Sequence, residues 1–158
     1  MTTLDSRTQP VARPRQIDAR GPRFAAAITV VVLAATLVTI DSTLSVVLLS
    51  IQTVAFALGS LVGLHAQPYG VLFRTVVRPR LAAPTKFEDV APPRFAQTVG
   101  LAFAVIGLVG LFTGVTLVAY IAVGFALAAA FLNAAFDFCL GCEMYLLGKR
   151  VLGSRPAA

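Results

Sequence analysis

The chain has 158 residues, of which 58% are hydrophobic and only 13% charged, whereas soluble domains carry about a quarter charged residues. All thirteen Lys and Arg residues lie in three stretches: the N-terminal tail, residues 68–94 and the C-terminal tail. The net charge of +6 is therefore confined to a few segments, with long stretches that have no basic residue between them. This distribution argues against nucleic-acid binding. The pattern is typical of a polytopic membrane protein with basic cytoplasmic loops.

The first half of the chain predicts a basic tail followed by two membrane spans. Residues 1–20 are polar and rich in Pro and Arg, and we expect them to be disordered. The apolar run at 24–40 is just long enough to span a bilayer as a helix. A secretory signal peptide is the rival interpretation, but no A-x-A cleavage site follows the run and a second span begins almost at once. Asp41 or Ser42 can cap that second span, at 43–64.

A basic connection with five prolines leads to the second half of the chain. Within it, residues 70–77 can form a short interfacial helix, with Arg74 and Arg78 one turn apart. We place the third span at 95–112 and the fourth at 115–138, with a Thr-Gly turn between them.

The four spans define an all-α membrane domain at 21–150. A short amphipathic helix at 143–152 follows the last span, and 151–158 form a C-terminal tail. The turn within each hairpin has no basic residue, whereas the two tails and the middle connection carry all of them. The positive-inside rule then places both termini of this cell-membrane protein in the cytoplasm, where the basic segments can also contact anionic lipid of the bilayer.

A short motif, P-R-F-A, recurs at 22–25 and at 93–96, where the first and third spans begin. The Pro can start a helix, the Arg can reach lipid phosphate and the Phe can enter the acyl region. We therefore predict two similar hairpins in the same orientation, related by a pseudo-twofold axis along the membrane normal. The hairpin ends align more weakly and at a different offset, which puts His65 opposite Gly141. His65 then either lies near the thiols or caps the end of its helix.

Residues inside the spans predict how the bundle packs. Small residues spaced by four allow close contact between helices in lipid. The pairs are Gly59 and Gly63, Gly110 and Gly114, and Gly124 and Ala128. The polar residues Gln52 and Asn133 need partners within the bundle, and interhelical hydrogen bonds are a better explanation for them than a transport pathway.

The two cysteines of the chain, Cys139 and Cys142, form a C-x-x-C motif at the cytoplasmic end of the fourth span. This motif supports dithiol–disulfide exchange, half of a metal site, or sulfur transfer through a persulfide. A permanent structural disulfide is not expected on the reducing side of the membrane. Because structural zinc takes four ligands, His65, Asp137, Glu143 or a second protomer would have to complete a metal site.

Local electrostatics predict different roles for the two thiols. Cys139 is expected at the negative end of the fourth helix, beside Asp137 and one turn from Glu143, which disfavours its thiolate. If Gly141 breaks the helix and Glu143 opens a new one, Cys142 lies at a positive helix end and is the more reactive thiol. Asp137 is either a proton acceptor or a carboxylate at a helix end. The candidate catalytic residues are therefore Cys139, Cys142 and Asp137.

Four segments together resemble an uncharacterised bacterial integral-membrane family, domain of unknown function 4395. They are I-D-A-R-G-P-R-F at 17–24, R-P-R-L at 78–81, E-D-V-A-P-P-R-F-A-Q at 88–97 and F-L-N-A-A-F-D-F-C-L-G-C-E-M-Y at 131–145. The resemblance covers about 17–150 and implies a multi-pass membrane domain with a C-terminal C-x-G-C. It implies no activity, although an association with thioredoxin-like or rhodanese-like genes is a hint of thiol or sulfur chemistry.

The sequence thus favours a membrane protein whose cytoplasmic-face cysteine pair handles thiol redox or sulfur, together with a soluble thioredoxin-like or rhodanese-like partner. One alternative is a non-enzymatic membrane subunit or scaffold in which the cysteines only pack. Another is a metal site shared between protomers of an oligomer. We expect no organic cofactor, since the sequence has no nucleotide-binding loop, no haem-attachment motif and no hydrolase triad.

Overall fold

A computed structural model describes residues 16–84 and 86–153 of the chain. Most of these residues are helical, and two short strands precede the first and third long helices. The elements in chain order are β1 (Gln16–Asp18), α1 (Arg20–Val38), α2 (Thr43–Ala57), α3 (Pro68–Leu72), β2 (Phe87–Asp89), α4 (Ala91–Thr113), α5 (Thr116–Phe136) and α6 (Leu140–Gly153). A π-helical turn, Leu58–Val62, extends α2.

Four helices are long and apolar enough to cross a membrane, which confirms the predicted helical class and the predicted number of long apolar helices. They are Arg20–Val38, Thr43–Val62, Ala91–Thr113 and Thr116–Phe136. Three residues, Gly63, Gly114 and Ser42, mark where these helices end or begin. Gly63 (φ 131°) and Gly114 (φ 75°) end helices with a positive φ, which glycine tolerates, and Ser42 precedes α2 with an extended backbone. The Ser42 hydroxyl donates backwards to the Thr39 carbonyl and does not cap α2.

The connection between the hairpins is more ordered than the sequence indicates. Helix α3 continues through a π-helical turn at Phe73–Val77 and a 3₁₀ turn at Arg78–Arg80, so the predicted interfacial helix at 70–77 lies inside a longer helical stretch. Strands β1 and β2 then pair antiparallel, with Ile17 opposite Glu88. This sheet was not predicted, because three-residue strands have no detectable alternation of polar and apolar residues.

Strand β1 and the start of α1 occupy residues 16–20, which the sequence places in the tail. Residues 1–15 of the predicted disordered tail, and 154–158 of the predicted C-terminal tail, lie outside the described residues.

The bundle core lies where α1, α2, α4 and α5 meet. Its buried members are Leu33, Leu49, Phe56, Ala104, Val123 and Ala126. Large apolar side chains also cover the outside of the same helices: Val38 is 86% exposed and Phe112 72% exposed. A water-facing surface would not carry such a continuous apolar covering, whereas a lipid-facing one does.

Glycines lie at several of the closest contacts between helices, but not every glycine that the sequence predicted for this role has such a contact. A Cβ on Gly110 would lie 2.7 Å from the Ala119 backbone nitrogen, so α4 and α5 approach each other through this residue. A Cβ on Gly59 would meet the Gln97 side chain at 2.8 Å. The prediction for Gly124 is wrong, because nothing in the described residues lies within 4 Å of the position that its Cβ would take.

Candidate functional site

The C-x-x-C motif lies at a sharp junction between α5 and α6. Helix α5 ends at Phe136, and Asp137 adopts a left-handed conformation with φ 57°. Helix α6 then begins at Leu140, so the prediction that Gly141 breaks the helix is wrong. Asp137 makes the break because a short polar side chain tolerates this backbone region better than most residues do.

Gly141 has a packing role instead. It is the buried residue of α6, and a Cβ added there would lie 2.6 Å from the Ala96 Cα. Helix α6 therefore lies directly against the backbone of α4. The Tyr145 ring packs on the Phe95 ring one turn further on, with centroids 5.8 Å apart. These contacts fix the direction in which α6 leaves the bundle.

The two cysteines form a disulfide across the first turn of α6, with their Cα atoms 5.2 Å apart. Cys139 immediately precedes the helix, and its Sγ accepts a hydrogen bond from the Cys142 backbone N–H at 3.3 Å. Backbone N–H groups at a helix N-terminus favour a thiolate once the disulfide is reduced. The sequence predicted Cys139 at the negative end of a helix and Cys142 at a positive one. The structure instead places Cys139 at the positive end of α6.

Asp137 pairs with the middle connection of the chain. Its Oδ2 lies 3.2 Å from Lys86 Nζ, which is also 3.3 Å from Glu88 Oε1. The pKa of Lys86 is raised, chiefly by its hydrogen bond to Asp137 and next by its hydrogen bond to Glu88. The carboxylate thus lies at a helix end and pairs with a cation, while its predicted role as a proton acceptor stays a prediction.

A cavity of about 660 Å³ adjoins this junction and lies among α1, α4, α5 and α6. Its lining includes both cysteines, Asp137 and Asn133. Apolar residues of the spans form most of the remaining wall. The disulfide therefore borders this cavity at the end of the bundle.

His65 lies apart from the cysteines. It is exposed at the end of the second span, where its carbonyl accepts a hydrogen bond from Arg74, and it is not among the residues that line the cavity. Within residues 16–84 and 86–153, no three His, Cys, Asp or Glu side chains are grouped closely enough to hold a metal ion. A metal site completed by Glu143 and a second protomer stays a prediction, since the structure describes a single chain.

Gln67 and Cys139 each accept a hydrogen bond at the start of a helix. Gln67 precedes α3, and its Oε1 accepts a hydrogen bond from the Gly70 N–H at 2.6 Å, three residues on. Cys139 accepts from Cys142 with the same separation. The alignment of the hairpin ends that puts His65 opposite Gly141 stays a prediction.

Gln52 confirms the prediction of interhelical hydrogen bonds. Its Nε2 donates to Thr29 Oγ1 at 3.3 Å, and its Oε1 accepts from the Tyr69 hydroxyl at 2.9 Å. One buried amide thereby joins α1, α2 and α3. Asn133 differs, because within the described part of the chain its side chain forms no hydrogen bond and lines the cavity.

Sequence reasoning missed two residues of the site, Lys86 and Gln97. Gln97 lines the cavity from α4, and its buried Oε1 has no hydrogen-bond partner. A polar residue within an apolar span is the signal that identified Gln52, and it applies equally to Gln97. Lys86 has no such signal, since it is one cation in a basic connection and only the folded chain brings it to Asp137.

The fold and the site define a class: a helical protein with four helices of membrane-spanning length and a disulfide-forming C-x-x-C at the end of the bundle. The profile of the family described as Domain of unknown function (DUF4395) matches residues 17–150, and the chain belongs to that family. No curated protein and no solved structure matches the chain.

Proposed function

We propose that this is an integral membrane protein that exchanges electrons through the Cys139–Cys142 pair. The observation that carries the proposal is the disulfide across the first turn of α6, with Cys139 Sγ held by a backbone N–H. In the exchange, two thiols of a reduced partner would break this S–S bond, and the partner would leave as a disulfide. Cys139 and Cys142 would then be thiols, having gained two electrons and two protons.

The distribution of charge supports a cytoplasmic location for this site. Every Lys and Arg in the described part of the chain lies at the end of the bundle where α1 and α4 begin. The opposite end has only the two short turns, at 39–42 and 114–115, and no basic residue. By the positive-inside rule, both termini and the cysteines face the cytoplasm of a cell-membrane protein. The partner is then a soluble thioredoxin-like or rhodanese-like protein.

Two matched pairs of contacts support an internal repeat of the hairpins. The Arg23 guanidinium donates to the Ala134 carbonyl near the end of α5, at 3.0 Å. The Arg94 guanidinium donates to the Ser60 carbonyl near the end of the second span, at 2.8 Å. Each arginine of the P-R-F-A motif thus caps the closing helix of the other hairpin, as a twofold axis between the hairpins requires.

The two short strands and two aromatic pairs near these arginines also match between the hairpins. Asp18 and Asp89 each accept a hydrogen bond at 3.0 Å from the backbone N–H two residues on. Phe24 packs on Phe73 beyond the first hairpin, as Phe95 packs on an aromatic ring beyond the second. The repeat implies that a shared scaffold carries a cysteine pair after one hairpin only.

The redox proposal is tested by trapping a partner. Cys142→Ser leaves Cys139 as the attacking thiol without a resolving thiol, so a mixed disulfide with a soluble partner should accumulate in membranes. Cys139→Ser should trap less, since Cys142 lacks the sulfur–amide contact. The double Cys→Ser variant is the control. The proposal would be overturned by two results together. Neither single variant would form a mixed disulfide, and the thiols of the native protein would not react with a membrane-permeant maleimide.

Orientation needs a separate experiment. A fluorescent protein that folds only in the cytoplasm, and a phosphatase active only outside it, can each be fused after residue 158. Fluorescence without phosphatase activity is expected. The reverse result would place the cysteines on the oxidising side and change the class of partner.

A further inference from the structure

The cavity beside the disulfide is lined by a polar group that the protein leaves without a partner. The Asn133 amide faces this space and forms no hydrogen bond within the described residues. Its carboxamide can present N–H groups to a ligand, because rotating an amide by 180° exchanges its nitrogen and oxygen. An unpartnered amide in a largely apolar wall indicates that a ligand with acceptor atoms belongs there.

The shape of the cavity suits a molecule with a polar head and an apolar tail. Its outer end is at the cysteines, while Phe103 and Phe125 line it deeper in the bundle, with ring centroids 6.1 Å apart. Phe103 is about 18 Å beyond the start of α4 at the usual helical rise of about 1.5 Å per residue, which is near mid-bilayer. The volume of about 660 Å³ lies within the range of about 300–1,000 Å³ found for ligand sites.

Charge at the outer end selects against an anionic lipid. Four carboxylates line this region, and Lys86 is the cation among the lining residues. The carboxylates belong to Glu88, Asp89, Asp137 and Glu143. Because Lys86 already pairs with two of them, a phosphate headgroup would meet net negative charge. An uncharged headgroup with carbonyl acceptors meets no such penalty.

We propose that the cavity binds a lipid-soluble quinone, whose ring lies beside Cys139 and Cys142 and whose isoprenoid tail occupies the apolar part. This inference rests on the proposed thiol-redox function and supplies its membrane-side oxidant. The two S–H bonds break and the Sγ–Sγ bond forms. The two electrons pass to the quinone ring and the two protons to its two oxygens, which gives a hydroquinone.

The experiment uses the full chain, purified in a mild detergent and reduced, with decylubiquinone and a short-chain menaquinone as probes. Reduction of the quinone is followed by its ultraviolet absorbance, and disulfide formation by the loss of maleimide-reactive thiols. We expect one quinone to be reduced for each disulfide formed, with saturation as quinone concentration rises. The double Cys→Ser variant should bind quinone, detected by photo-crosslinking with an azidoquinone, and should not reduce it.

Two matched leucine substitutions on α5 locate the binding site. Ala130 lines the cavity, and Ala130→Leu should raise the half-saturating quinone concentration by about tenfold through overlap with the ligand. Ala128 is exposed on the same helix and does not line the cavity, so Ala128→Leu should change it by less than about twofold. Asn133→Leu tests the amide that lines the cavity, and should weaken binding while the thermal midpoint of the protein stays near that of wild type or rises.

The outcomes separate this inference from the proposed function. If the reduced protein exchanges disulfides with a soluble dithiol protein but leaves both quinones oxidised, the quinone inference is wrong and the thiol-redox function stands. Equal effects of Ala130→Leu and Ala128→Leu, or co-purification of a phospholipid that quinone does not displace, would also overturn it. If the thiols react with neither partner, both proposals fail.

Discussion

Lys86 Nζ lies 3.2 Å from Asp137 Oδ2, and this ion pair joins the middle connection to the residue at which α5 ends. Asp137→Asn keeps a side chain that tolerates the left-handed backbone but removes a negative charge beside the cysteines. We expect the reduced protein to react about twofold faster with maleimide at pH 7, the size of effect usual for exposed charges. Lys86→Gln should slow the reaction to a similar extent. Lys149→Gln, which removes a cation over the Tyr145 ring instead, is the control.

Arg23 and Arg94 should contribute equally to stability. Each donates two hydrogen bonds to carbonyls near the end of a helix in the other hairpin. Arg23→Met and Arg94→Met should each reduce the free energy of unfolding by about 1 kcal/mol, since the side chains are exposed to solvent. Thermal unfolding in detergent measures the effect. Arg150→Met is the control for loss of a cation, and an unchanged midpoint in either test variant would contradict the capping role.

The buried Gln52 amide should contribute measurably to the stability of the helix bundle. Gln52→Leu removes the hydrogen bonds to Thr29 and Tyr69. The half-buried Tyr69 hydroxyl, whose pKa is raised by burial, then has no acceptor for its proton. We expect a loss of about 1–2 kcal/mol, near the upper end for hydrogen bonds between membrane helices. Tyr69→Phe alone should cost less. A double-mutant cycle of the two substitutions should show coupling, and strict additivity would argue against a shared network.

Gly110 and Gly124 lie in different helices of the second hairpin and form a matched test of packing. Gly110→Ala places a methyl group 2.7 Å from the Ala119 backbone nitrogen, which forces α4 and α5 apart. Overpacking of this kind costs about 1–3 kcal/mol. Gly124→Ala meets nothing within 4 Å and should stabilise its helix slightly. A smaller midpoint shift for Gly110→Ala than for Gly124→Ala would contradict the close helix approach.

Asp18 should make the stability depend on pH in the acid range. The hydrogen bond from Arg20 lowers the pKa of this carboxyl below its ordinary value of 3.8. Its ionised form therefore stabilises the fold fully above pH 3.8, and the contribution is lost as the pH falls through the lowered pKa. Asp18→Asn should cost about 1.5 kcal/mol at pH 6, because a bond to a charged group is removed. The difference between variant and wild type should vanish at the most acidic pH, and a constant difference across pH would contradict the ion pair.

Much of the architecture could be predicted from local composition. Runs of apolar residues about twenty long identify spanning helices without any knowledge of their neighbours, and the placement of Lys and Arg separates one end of the bundle from the other. The break between α5 and α6 could not be assigned this way, because Asp137 and Gly141 are both plausible helix breakers. Packing of Gly141 against Ala96 keeps it helical and leaves the break to Asp137.

The helical class, the four long apolar helices and the cysteine pair are all readable from local sequence, because apolar length and C-x-x-C spacing are properties of the chain alone. Helix packing determines that Cys139 lies at the positive end of α6, that Lys86 pairs with Asp137 and that Asn133 lines the cavity beside the cysteines. These relationships join residues from different helices or depend on where a helix starts. Their distances are set by how the helices pack, which no local pattern of residues records.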